Sequence, residues 1–559
     1  MRHRRAIEFS LPAACLPVGR AGRTTGHNVI IIAYGQAVEL VKPAKRFPDT
    51  GTGNAAHFPL WYLETAAKPS LNEMQKQTRR ALFYLLVLIF SAATPFIILY
   101  ALGYIPDIAS WRFTPTGGLF VKTNEPGITV SINGRVERET NFLTHSVLVT
   151  NLPAGMISAE VTKEGFHSWR KNIEIEKQVV QEFPFILLIP EALNPLIITG
   201  TTTAPNTASI PRALIPDPGN KYLLWVTESG KTTTLSVIDK ASGKDLRNSI
   251  SLAGGERYET AVWSPDGTAF FIVAAAQNGR RWYLADAAGG KPERIFDPTK
   301  TLSITASATS TTPTSIRLRL ETVKDVVWDP SAPGGFLVHD GEKLYRWNRQ
   351  ELFVQPIIEN VAAFAAFPDE MFFISKKGIL NRADPDGSNI TSLDRPGFFI
   401  NDNRTPQITK NENGVIVITD SGGGMYVSDR ETKKSVPVAE NIGRVKFSPN
   451  KDLIGYTESG KLMIRFLEDE KRQPFRPQDS NHLILDAIVP INDFVWFDRE
   501  SAHIVFTTKN GIFIAETDNR FDANTTTLKT GRFLIAEDPS DSNSFYLTDG
   551  NTIERVTID

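Results

Sequence analysis

The chain has 559 residues, 41% hydrophobic and 22% charged, a composition that calls for folded globular domains, about four by length alone. Lys and Arg number 61 against 62 Asp and Glu, so no basic excess points to nucleic acid as a partner. The single cysteine, Cys15, excludes internal disulfides, cysteine-ligated zinc and iron–sulfur clusters.

Residues 1–73 scatter Pro, Gly and Thr without period and hold nine Lys/Arg, five Asp/Glu and that cysteine. Leu-Pro-Ala-Ala-Cys15 has the form of a lipoprotein cleavage box, but its apolar run falls short of the about 7–15 residues of a signal core. The segment reads as a disordered tail or as a mis-annotated extension that is not translated. Met74 opens the functional chain in the second case, because Gln-Lys-Gln-Thr-Arg-Arg80 before an apolar run is how an export signal begins.

Ala81 to Tyr104 is a run of 24 residues without a charge. At 1.5 Å per residue such a helix reaches about 36 Å, enough to cross a hydrocarbon core of about 30 Å, and Pro95 is tolerated inside a membrane helix. The competing reading, a cleaved signal peptide, is weakened by the length of the run and by the lack of a small-x-small site at Leu-Gly-Tyr-Ile-Pro-Asp107. Lys76, Arg79 and Arg80 precede the span. The positive-inside rule therefore leaves residues 74–80 as a short cytoplasmic tail and puts everything after Tyr104 outside. Beyond Arg80 the chain carries 49 Lys/Arg against 57 Asp/Glu, about −8, and no cysteine. A body without thiols cannot mispair in an oxidising compartment.

From Gly117 short alternating runs begin. Leu119–Asn124 leads to Pro126-Gly127, then Ile128–Asn133 to Asn133-Gly134, a strong hairpin signal. Ser146–Thr150 enters the turn Leu152–Gly155, Ile157–Thr162 leads to Lys163-Glu-Gly-Phe166, and Trp169–Ile175 and Val179–Ile189 close the unit. Residues 117–190 resemble the PEGA domain of bacterial envelope proteins, through Val-x-Ile-Asn-Gly134, Leu-Pro-Ala-Gly155, Val-x-Lys-Glu-Gly-Phe166 and Trp169. The pair Thr140-Asn141 stands where that family has Thr-Pro. The resemblance implies a small β-sandwich that contacts envelope polymers. Gly134, Gly155 and Gly165 are expected at positive φ in turns, and Phe166 and Trp169 in the core; a sugar-stacking role for Trp169 is the rival reading.

A Thr/Ala/Ser/Pro-rich linker is expected over 191–211, followed by a repetitive all-β domain over 212–559. Its clearest unit is Ala261-Val-Trp-Ser-Pro-Asp-Gly267, then Ala269–Val273, then Arg281-Trp-Tyr-Leu-Ala-Asp286. Echoes centred on Pro216, Trp263, Trp328, Phe367, residue 410, Phe447, Trp496 and Ala536 are spaced about 47, 65, 39, 43, 37, 49 and 40 residues apart. The long step holds the Ser/Thr-rich insertion Thr299–Thr312. Thr-Glu-Ser-Gly-Lys occurs twice, at 227–231 and 457–461, which marks equivalent hairpins. A period near 40 with four strands per unit predicts a β-propeller of eight blades, or seven if the terminal strands share one. Trp-Ser-Pro-Asp-Gly267 followed by Tyr-Leu-Ala-Asp286 resembles the TolB-like branch of propellers rather than the WD-repeat branch, and Arg382–Gly387 echoes its second half.

The chemistry-bearing motifs all have structural explanations. Ser229-Gly-Lys-Thr232 lacks the first glycine of a phosphate loop, since Trp225 stands there. His145, His167, His339, His482 and His503 are isolated, which argues against a zinc site. Asp266 and Asp386 sit in Pro-Asp-Gly turns, and Gly422–Gly424 reads as a hairpin. No catalytic residue, metal or cofactor is called for. The expected protein is all-β behind a single membrane helix. It binds or scaffolds, without catalysis, and its partners are the lipid bilayer and either envelope polysaccharide or envelope proteins. A propeller-based hydrolase and a ligand sensor are the alternatives.

Overall fold

The structure, a computed structural model, describes residues 76–107, 112–140, 143–200, 210–246, 250–252, 255–277, 279–289, 292–294, 302–304, 316–318, 323–348, 353–395, 404–429 and 434–558. The readings of residues 1–73 and of Asn141 lie outside these.

Helix α1 (Lys76–Ala101) runs unbroken through Pro95, with most of its apolar side chains exposed. It is long and apolar enough to cross a membrane. The helix ends three residues before the charge-free run does. Gly103, at φ +78°, is a left-handed cap, so Tyr104, expected in the span, instead opens β1 (Tyr104–Asp107), which pairs with the start of β2 (Arg112–Thr123).

The small domain continues with β3 (Thr129–Ile132), β4 (Arg135–Glu139), β5 (Ser146–Pro153), β6 (Gly155–Thr162), β7 (Trp169–Ile175) and β8 (Val180–Ile186). Strand β2 pairs with β1, β5 and β8 in one sheet, and the other runs β4-β3-β6-β7. Alternation sets their inner faces: Leu119, Val121, Val130, Val161, Trp169 and Ile173 fill the sandwich between them. Gly134, Gly155 and Gly165 have positive φ, as expected of the turns they make.

The remainder is a β-propeller. Blade 1 is Ile210–Pro216, Tyr222–Ser229, Thr232–Asp239 and Ile250–Ser251, and seven further sheets follow in sequence order. The first strand of blade 2 is Arg257–Trp263, of blade 3 Asp325–Trp328, of blade 4 Val361–Ala366, and of blade 5 Pro406–Lys410. Those of blades 6, 7 and 8 are Ile442–Phe447, Asp493–Phe497 and Leu534–Glu537. All eight repeat anchors fall at or beside the ends of these strands. Every seam has its own apolar cluster, including one that joins blade 8 to blade 1 through Leu214, Trp225, Ala536 and Tyr546. The ring is therefore closed with eight blades.

Three anchors repeat one contact. Trp263, Trp328 and Trp496 donate their indole N–H to the carbonyls of Ile215, Val262 and Lys446, 3.1, 3.2 and 3.3 Å away. Each acceptor lies one residue before the anchor of the preceding blade.

The linker expected over 191–211 is not merely a linker. Its Leu196–Gly200 forms β9, which pairs antiparallel with Thr552–Thr557 as the outermost strand of blade 8. A last blade with three C-terminal strands has an open edge, and an N-terminal strand closes it. The Ser/Thr-rich insertion also differs from a plain loop. Its Leu302–Ile304 and the nearby Ile316–Leu318 form a hairpin that extends blade 3 to six strands.

The two Thr-Glu-Ser-Gly-Lys segments occupy equivalent hairpins, between the second and third strands of blades 1 and 6, but slipped by one residue. Ser229 pairs with Thr232 around Gly230-Lys231, whereas Glu458 pairs with Lys461 around Ser459-Gly460. The following strands demand this. Thr233, Leu235 and Val237 are buried after the first, Leu462 and Ile464 after the second, so the apolar face starts one residue earlier in blade 6 and the turn absorbs the difference.

Candidate functional site at the seam between the small domain and the propeller

Strand β7 places Trp169, Lys171, Ile173 and Ile175 on its buried face. A lysine at an inward position must find a partner, since an unpaired buried charge is costly. Lys171 forms an ion pair with Glu516 at the end of the third strand of blade 7 (Gly511–Glu516), with side chains 1% and 6% exposed, and donates to the Asp518 carbonyl at 2.9 Å. Trp169 donates its indole N–H to the other oxygen of Glu516 at 3.1 Å, and the Asn524 amide donates to the first at 2.8 Å. One carboxylate thus serves both domains.

The free edge of β8 is covered from the propeller. Gln473, in the long loop between the third and fourth strands of blade 6, accepts from the Glu182 amide and donates to the Val180 carbonyl, both at 3.0 Å. Its side-chain amide imitates a neighbouring strand and satisfies an edge that would otherwise be open. Arg520, held by Asp518 at 2.6 Å, donates to the Glu182 carbonyl at 2.6 Å and lies 4.3 Å over the Phe183 ring. Beside this seam a cleft is lined by Phe183, Phe185, Phe466, Arg472, His482 and Glu500. Arg472 lies 4.9 Å over Phe185 and pairs with Glu470 and Glu500 at 3.0 Å each. Burial, with Arg476 nearby, lowers the His482 pKa and holds the imidazole neutral near pH 7.

Of the residues singled out in the sequence, Trp169, His167, His482 and His503 lie at this seam and the others fall elsewhere. Trp169 is 4% exposed, inside the small core and bonded to Glu516, so it offers no open sugar platform. Asp266 accepts from Ser264 and from the Thr268 amide and hydroxyl, and Asp386 from the Ser388 amide and hydroxyl, each within its own turn. Ser229–Thr232 is a hairpin tip, and Gly422 and Gly424 donate to Asp420 in another. His145, His339 and His482 lie apart, whereas His167 and His503 line one small cavity with Trp169 and Glu516. His503 is held by Asp498 at 2.6 Å and Glu516 by Lys171. Among the described residues no three His, Cys, Asp or Glu side chains are grouped to hold a metal ion.

Sequence reasoning missed Lys171, Gln473, Glu516 and Arg520. Only Lys171 left a signal, a lysine on the inward phase of Trp-Arg-Lys-Asn-Ile-Glu-Ile175.

A second polar cluster lies at the seam of blades 8 and 1. Asp538 accepts from Asn220 at 2.6 Å, Arg555 at 2.7 Å and Tyr546 at 3.0 Å, and Lys240 reaches Asn220 and, at 3.2 Å, Tyr546. Burial lowers the Lys240 pKa to about 8 despite Asp538 and Asp217 nearby.

No curated protein matches the chain. Among solved structures, the computationally designed Ika8 protein aligns at 10% identity over 65% of this chain and 99% of its own, with a TM-score of 0.37. YCF48 from Cyanidioschyzon merolae aligns at 11% identity over 64% and 98%, with a TM-score of 0.34. The PEGA domain family model matches residues 116–186, which run from within β2 to the end of β8.

Proposed function

We propose that this chain is a non-catalytic binding or scaffold protein of a bacterial cell envelope. It is held by α1 with its N-terminus in the cytoplasm and displays the propeller outside the membrane. The carrying observation is the position of the PEGA-matching segment between two firm attachments. On one side Gly103 accepts from the Thr116 amide and hydroxyl at 2.7 and 2.8 Å, and Leu102 accepts from Gln178 at 2.9 Å. On the other, Lys171 and Trp169 converge on Glu516. A unit fixed at both ends presents the propeller in one attitude, which suits a platform for envelope polysaccharide or envelope proteins. The Trp-Ser-Pro-Asp-Gly267 turn favours a TolB-like propeller within that reading.

Two measurements test this. Protease added to spheroplasts is expected to digest the propeller of the full chain, and protection there overturns the topology. Full-length protein in detergent, used as bait on envelope extracts, is expected to retain defined glycans or envelope proteins. Retention of neither, with substrate turnover instead, overturns the binding role.

A further inference from the structure

We propose that the cleft beside the seam holds an acidic sugar residue, with its carboxylate on Arg476 and a hydroxyl on Glu500. This rests on the binding role proposed above, whose ligand class it supplies, and not on the topology of α1. The other charges at the cleft are satisfied. Lys171 is matched with Glu516, and Arg520 with Asp518. Arg472 fills Glu470, reaching one oxygen with its amide and Nε and the other with a terminal nitrogen. Glu500 accepts from the same Arg472 on one oxygen only, and its side chain is 51% exposed. Its second oxygen is open to a hydroxyl donor.

Arg476 lines the cleft, half-buried, and forms no ion pair among the described residues. It donates from one terminal nitrogen to the Asn519 side-chain oxygen at 2.5 Å. Burial lowers its pKa even with Asp518 nearby, and Asp518 is already committed to Arg520. The neutral His482 supplies no counter-ion. The remaining N–H groups of such a guanidinium suit the two oxygens of a carboxylate.

The walls are apolar. Phe185 carries Arg472 over its ring, and Phe466 meets His482 edge to face with centroids 5.5 Å apart. Apolar walls with a few convergent polar groups fit a ligand that has both characters. A pyranose acid brings an apolar C–H face for the phenyl rings, a carboxylate for Arg476 and hydroxyl donors for Glu500. An extended peptide fits less well. The β8 edge bordering the cleft is closed by Gln473 and Arg520, so a peptide finds no ladder to join there.

The test titrates full-length protein in detergent, by calorimetry, with tetragalacturonic acid, with its methyl ester and with tetraglutamate. The ester keeps the rings and hydroxyls and removes the charge, so this comparison needs no variant. The acid is expected to bind, the ester about tenfold more weakly, as befits a lost charge-assisted bond, and tetraglutamate not measurably. Arg476→Gln, which keeps a donor for Asn519, should bring the acid down to the ester's affinity and leave the ester unchanged. Glu500→Ala should weaken acid and ester alike, by about fivefold. Equal affinity for acid and ester, or acid binding indifferent to Arg476→Gln, overturns the site. Tetraglutamate binding as tightly as the acid overturns the sugar in favour of an acidic peptide. No binding of the acid overturns the proposal. Retention of other glycans or of proteins from envelope extracts would then leave the binding role standing, and retention of neither would remove that role as well.

Discussion

Lys171 of the small domain and Glu516 of blade 7 form an ion pair almost wholly withdrawn from water, and Trp169 shares the same carboxylate. A pair of this kind adds little net stability, because desolvation offsets attraction, but removing one partner strands a buried charge at a cost of about 3–5 kcal/mol.

Lys171→Met is therefore expected to destabilise the protein by about 3–5 kcal/mol and to loosen the small domain, whereas Lys171→Met with Glu516→Gln, which removes the stranded charge and keeps an oxygen for the Trp169 and Asn524 donors, recovers most of the loss. Denaturant melts followed by limited proteolysis between Pro190 and Ile210 measure both. Equal instability of the single and double variants would show that the charge is not what matters.

Gln473 caps the edge of β8 at two backbone positions. Gln473→Ala should speed hydrogen exchange of the Glu182 amide about fivefold, the equivalent of about 1 kcal/mol for a lost hydrogen bond. Exchange measured by mass spectrometry at β8 and, as control, at β6 decides it. An unchanged rate at Glu182 would mean that the edge is covered by other means.

Ring closure by β9 gives a covalent test. Ile197 and Glu554 are cross-strand partners, at a separation that a disulfide spans. In a Cys15→Ser background, Ile197→Cys with Glu554→Cys should oxidise readily and shift the chain on a non-reducing gel. The cross-link should raise stability by up to about 5 kcal/mol, since it closes a very long loop.

His339 is 4% exposed, faces the Val361 carbonyl at 3.1 Å, and has its pKa lowered chiefly by burial. Its folded form resists protonation while its unfolded form takes a proton near pH 6.5. Stability is thus retained above that value and falls as pH drops below it. His339→Gln should flatten the loss of stability between pH 7.5 and 5.5, read from denaturation midpoints.

Lys240 should be acylated by amine-reactive reagents with a midpoint near pH 8, where an ordinary lysine needs about 10.4. Peptide mapping of the modified protein against pH checks this.

Local signals carried much of this molecule. The charge-free run of α1, the Asn133-Gly134 hairpin and the eight repeat anchors were all legible in order along the chain, because helix, hairpin and blade are built from neighbours in sequence. The duplicated Thr-Glu-Ser-Gly-Lys marked equivalent hairpins, yet its turn register was decided by the buried face of the strand that follows. What the sequence left open were the pairings of edges brought together from afar. Leu-Ile-Ile-Thr-Gly200 reads as a short apolar run, and only the open edge of blade 8 makes it the closing strand. Gln473, Glu516 and Arg520 belong to segments unremarkable in themselves, and Lys171 shows only that it lies on an inward phase. They meet because a lysine buried by the alternation of β7 and a bare edge at β8 both require partners, and the nearest lie on blades 6 and 7.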